Sequence, residues 1–63
     1  MREVTQDLRF RKGDELFLRF GKEFKKGVFK HVHYNGNKFT GGFVIVEGVT
    51  HFCNYTDMFI KEL

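Results

Sequence analysis

Sixty-three residues allow one small domain, and a folded chain of this size buries only about 60% of the surface its extended form exposes, which leaves little room for a deep catalytic cleft. Nine Phe and two Tyr make 17% of the chain aromatic while Trp and Pro are absent, and one Cys cannot form an internal disulfide, so disulfide-stapled secreted scaffolds are excluded and a reducing, cytoplasmic setting is expected. The net charge is only +3, but the excess is local: residues 9–30 hold eight Lys and Arg against three acids, and the segments on either side are each slightly negative. No apolar run approaches the length of a membrane span, and the charged start MREVTQDLRFRK has no signal-peptide stretch.

Along the chain, residues 1–9 read as a loosely ordered lead-in, because Val4 and Leu8 hint at a helical period whereas Leu8 to Arg11 alternates as a strand does. Gly13-Asp14 signals a turn. The next run, Glu15 to Phe20, puts Leu16, Leu18 and Phe20 on one face and predicts the first strand. Gly21 and Gly27 bracket a charged segment, Lys22 to Lys26, that reads as a projecting loop with Phe24 at its centre. A second strand follows over Val28 to Tyr34 and stops at Asn35-Gly36-Asn37, a strong hairpin signal because both Asn and Gly tolerate positive φ.

Extended structure resumes at Lys38 to Thr40, Gly41-Gly42 marks a bend or bulge, and the unbroken apolar run from Phe43 to Val46 predicts a third strand that is either covered on both faces or carries one face awaiting a partner. After a turn at Gly48, Thr50 to Cys53 forms the fourth strand. Asn54 to Met58 suits a single 3₁₀ turn, and Phe59 to Leu63 the fifth strand. Turn signals every eight to twelve residues with no long helix describe a small all-β domain spanning 1–63, an antiparallel sheet that curls to remove its edges.

The stretch RKGDELFLRFGKEFKKGVFKHV, with its Gly13-Asp14 opening, its glycine-bounded loop and the Gly27-Val28 step leading to Val32, resembles the start of an SH3-like barrel of the KOW or Tudor kind. The ending NYTDMFIKEL resembles the 3₁₀ turn and last strand of such barrels, so that the likeness covers residues 10–63. It implies a five-stranded SH3-like antiparallel barrel with a short 3₁₀ turn before the last strand. Such barrels often bind RNA, DNA or ribosomal partners, and others bind peptides. The absence of Trp and the basic first loop depart from the proline-peptide-binding branch. Short, Phe- and Lys-rich and without a catalytic motif, the chain also has the look of small phage-encoded proteins.

The functional signal is cations interleaved with rings. A polyanion needs several positive charges on one surface, and exposed rings stack on unpaired bases. The residues that carry this expectation are Arg9, Arg11, Lys12, Phe17, Arg19, Lys22, Phe24, Lys25, Lys26 and Lys30, and the partner they imply is nucleic acid. The bland reading is that the rings complete a thin core and the lysines keep it soluble. A second class is a protein-binding module, either a homodimer or an inhibitor docked on another protein through the apolar face of residues 43–46.

His31 and His33, with His51 and Cys53, repeat an i, i+2 spacing that would present four metal ligands if the strands converged. Two-residue spacing on strands can support metal binding, but zinc sites in small domains more often use Cys-x₂-Cys knuckles, three His with one Cys is an uncommon set, and the bland alternative is a small buried Cys with half-exposed histidines, so no metal or cofactor is expected. Asp14 and Glu15 point to opposite sides of a strand, and the His51 and Cys53 pair lacks a third group, so no catalytic set is expected either.

Overall fold

The computed structural model describes residues 1–62. Its elements in chain order are β1 (Arg2–Glu3), β2 (Glu15–Phe20), β3 (Glu23–Asn35), β4 (Lys38–Val46), β5 (Val49–Asn54), a single 3₁₀ turn (Tyr55–Asp57) and β6 (Met58–Ile60). They form one antiparallel sheet in the order β1-β6-β2-β3-β4-β5. The all-β class, the hairpin at Gly36 and the 3₁₀ turn before the last strand agree with the sequence. Among the described residues no helix is long and apolar enough to cross a membrane.

Among the described residues the strands number six rather than five. The lead-in is not loose: Arg2 and Glu3 pair with Ile60 and Phe59, the Val4 amide donates to the Met58 carbonyl at 3.1 Å, and the Phe39 amide donates to the Gln6 carbonyl at 3.0 Å. Segment 22–26 is likewise not a projecting loop. A two-residue turn at Gly21-Lys22 is enough to reverse the chain, so Glu23 to Lys26 pairs with β2 and β3 runs thirteen residues. The last strand stops at Ile60, and Leu63 lies outside the described residues.

β3 is long enough to serve both halves of the sheet. Its first part pairs with β2 and its second with β4, and Val28 is the junction, opposite Glu15 on one side and Ile45 on the other. The sheet coils tightly here: a Cβ on Gly27 would lie 2.5 Å from Val44 Cγ1 and 2.9 Å from Val46 Cγ2, so only glycine permits this approach. Two register shifts bend the β3–β4 ribbon further. Lys30 is the extra residue on β3 between Phe29 and His31, and Thr40 is the extra residue on β4 beside the expected Gly41-Gly42 irregularity.

The inner face buries Val4, Leu16, Leu18, Phe29, Phe39, Val44, Val46 and Met58. Phe10 closes the open end, its ring 5.2 Å from Phe29 and 4.9 Å from Phe39. Tyr34 fixes it there, because its hydroxyl accepts from the Phe10 amide at 2.8 Å and donates to the Phe10 carbonyl at 3.0 Å. The molecule exposes 4656 Å², above the roughly 4,200 Å² expected for its mass. That excess belongs to a sheet whose outer face is not covered by a second layer.

Candidate functional site

Strand alternation sorts the ten residues expected to contact nucleic acid. Phe17, Arg19, Phe24 and Lys26 share the outer face of β2 and β3, opposite the side that buries Leu16 and Leu18. Two of them are already engaged with Phe59. The Arg19 guanidinium lies over its ring at 5.7 Å, and the Phe24 ring meets it edge-on at 5.0 Å. Phe17 stands opposite Phe59 in the ladder and is half-buried. This patch therefore acts partly as a small core on the outer side of the sheet. Lys26 is 3.8 Å from Glu15, both well exposed, a spacing that contributes little in water.

Lys25 does not join the group. Paired with Leu18, it points to the other face, where its Nζ donates to Glu47 Oε1 at 2.8 Å and lies 5.4 Å from the Phe20 ring centroid. The hydrogen bond and the Glu47 charge raise the Lys25 pKa, and the same bond and charge lower that of Glu47. Lys22 occupies the β2–β3 turn. Arg9 is spent locally, donating to the Leu8 carbonyl at 3.2 Å and lying over the Tyr34 ring at 5.6 Å.

Arg11 and Lys12 sit on a braced loop. The Asp14 amide donates to the Arg11 carbonyl at 3.0 Å, and Asp14 Oδ2 accepts from the Arg11 amide at 2.8 Å. Gly13 and Asp14 in turn bond the Phe29 backbone, at 2.9 and 3.0 Å. This anchor delivers Lys12 to β3 beside the extra residue Lys30. Lys12, Lys30, His31, Phe43 and Thr50 line one shallow pocket on the outer side of the sheet.

That pocket opens onto a surface absent from the expected set, the outer face of β3, β4 and β5. Register builds it in rows: Val28, Ile45 and Thr50; then His31, Phe43 and Phe52; then His33, Gly41 and Asn54. Among the described residues, no Asp or Glu stands in these rows on β3, β4 and β5, and the first row continues onto β2 at Glu15, opposite Val28. Four rings form a continuous cluster, with centroids 4.7 Å apart for His31 and His33, 5.8 Å for His33 and Phe43, 5.9 Å for His33 and Phe52, and 5.0 Å for Phe43 and Phe52. Phe52 is 66% exposed and Phe43 38%. The period-two pairs His31-x-His33, Phe43-x-Ile45 and Thr50-x-Phe52 were the available sequence signal, and they do not say which face is covered.

The four residues weighed as metal ligands do not converge. His31 and His33 lie on the outer face, whereas His51, opposite Val44, and Cys53, opposite Gly42, point inward. His51 meets Phe20 edge-on at 5.4 Å, and Cys53 packs against the core. Burial, with a smaller push from the Asp57 carboxylate, raises the Cys53 thiol above its ordinary pKa, the opposite of an activated nucleophile. Among the described residues, no group of three or more His, Cys, Asp or Glu is placed to hold a metal ion. Compared with known proteins, the chain matches no family model, no curated protein and no solved structure.

Proposed function

We propose that this chain is a binding module for single-stranded nucleic acid, with bases stacking on Phe43 and Phe52 and phosphates drawn to Lys12 and Lys30. The observation that carries the reading is the four-ring cluster, with Phe43 and Phe52 exposed, on the outer face of β3, β4 and β5 with two lysines at its margin. Stacking needs accessible π-faces and a polyanion needs cations; exposed Phe43 and Phe52 supply the first and Lys12 and Lys30 the second. Exposed rings on a sheet face suit unpaired bases, because the rings of a duplex are already stacked on one another. Arg19 and Lys26 on the neighbouring β2–β3 surface extend the positive field.

The fold reading that accompanies this is SH3-like. The 3₁₀ turn that leads into β6, and the pairing of β6 back onto β2, support it. A cytoplasmic setting is the reading that accords with a single half-buried Cys. The same face also shows Val28 and Ile45 to solvent, which favours a protein partner as the second reading.

Fluorescence anisotropy with a labelled single strand of about 12 nucleotides separates the two. Affinity should fall with salt, and Lys12→Gln with Lys30→Gln should flatten the log–log salt slope by about 1.4, from roughly 0.7 per phosphate contact on a single strand. Lys25→Gln should leave it unchanged. Absence of binding at low salt ends the nucleic-acid reading, and a stoichiometric protein partner that survives nuclease and is lost with Phe52→Ala supports the second.

A further inference from the structure

The pocket lined by Lys12, Lys30, His31, Phe43 and Thr50 has a volume of about 380 Å³, near the lower end of the roughly 300–1,000 Å³ range of small-ligand sites. Three separate devices bring its polar groups together. Strand alternation alone turns consecutive residues to opposite faces, but Lys30 is the extra residue between Phe29 and His31, so Lys30 and His31 stand side by side on the outer face. Lys12 is held beside them by a double clamp on Phe29, whose carbonyl accepts from the Gly13 amide at 2.9 Å and whose amide donates to the Asp14 carbonyl at 3.0 Å. Thr50 reaches the pocket from β5, in the row of Val28 and Ile45.

These groups are not spent on one another. Among the described residues, the side-chain hydrogen bonds and ion pairs involve none of Lys12, Lys30, His31 and Thr50. Two acids stand on adjoining segments, and neither lines the pocket: Asp14 Oδ2 accepts from the Arg11 amide at 2.8 Å, and Glu15 lies 3.8 Å from Lys26.

We infer that this pocket takes a phosphate monoester attached to a base, namely the phosphorylated end of a single strand, an assignment that rests on the outer face being the nucleic-acid surface and names which phosphate it selects. Charge and donor number favour the end over an internal linkage. An internal phosphodiester carries a single charge and two unesterified oxygens, whereas a monoester carries about −1.5 to −2 and three strong acceptor oxygens. Two ammonium groups, an imidazole and a hydroxyl converge here, more donors than a diester accepts. The rings are placed to match. Phe43 is 6.5 Å from His31 and 5.0 Å from Phe52, so a last base on Phe43 keeps its phosphate beside the lysines and passes the next base to Phe52.

Fluorescence anisotropy of the full chain with internally labelled strands of about 12 nucleotides tests this, the strands carrying a 5′-phosphate, a 3′-phosphate or hydroxyls at both ends. One phosphorylated end should bind about tenfold tighter than the hydroxyl strand, about the worth of one charge-assisted hydrogen bond. Lys12→Gln with Lys30→Gln, both at exposed positions, should erase that preference, while Lys25→Gln, which removes charge from the other face, should keep it. Equal binding of the three strands at low salt, or an end preference that survives the double substitution, overturns the assignment and leaves the single-strand module standing. Binding of a nucleoside 5′-monophosphate with no strand bound overturns both and gives the pocket to a free nucleotide.

Discussion

Phe52→Ala separates binding from folding more cleanly than any other change. A buried Phe removes roughly 200 Å² from water, and Phe52 keeps 66% of its surface exposed, so only about 70 Å² is at stake. At about 25 cal/mol per Å² the substitution costs at most about 2 kcal/mol of stability, and less once the compactness of the unfolded chain is counted. The loss on binding is of a different kind. A base stacked on an aromatic side chain contributes about 1 to 3 kcal/mol by alanine substitution, which is about a 5- to 150-fold weaker Kd. Phe39→Leu is the matched control, because Phe39 is fully buried on the inner face and its shortening costs about 1 to 2 kcal/mol without touching the outer face. Urea unfolding and oligonucleotide anisotropy on the two variants should therefore give crossed results: comparable stability losses, with affinity lost only for Phe52→Ala. If Phe52→Ala binds within about twofold of the parent, or if Phe39→Leu weakens binding equally at full folding, base stacking on this face is refuted.

Two further changes probe the framework. Gly42→Ala should cost about 3 kcal/mol or more in urea unfolding, because φ is +158° there and the new Cβ would collide with the His31 carbonyl oxygen, whereas Gly36→Ala, in a turn with open space around it, should cost about 1 kcal/mol. Glu47→Gln addresses the Lys25 ion pair. The Glu47 pKa is lowered in the folded state, so its contribution is fully present above the ordinary glutamate pKa and is lost as pH falls through the lowered value. Parent and variant should differ in urea midpoint at about pH 7 and converge at about pH 2; a difference that persists in acid would show that something other than this pair is at work.

The chain's period-two patterning and its turn residues determined the all-β class, the hairpin at Gly36 and the burial of Leu16 and Leu18, because these depend on local geometry: alternate side chains face opposite sides, and tight turns need residues that reach positive φ. Tertiary structure decided the rest. Arg2 and Glu3 find their partners nearly sixty residues away on β6, which no local pattern announces. Lys25 and Lys26, neighbours in a basic run, fall on opposite faces once segment 23–26 is a strand, so one pairs with Glu47 and the other faces outward.

Alternation sorts Phe43 and Ile45 from Val44 and Val46 but cannot say which pair is covered; that depends on which side the coiled sheet closes upon. The extra residues Lys30 and Thr40 then shift the parity between β3 and β4, and it is this offset that lines His31 up with Phe43 and Phe52. A bulge changes the pairing of two strands without changing the pattern within either, so the ring cluster existed only in the folded register.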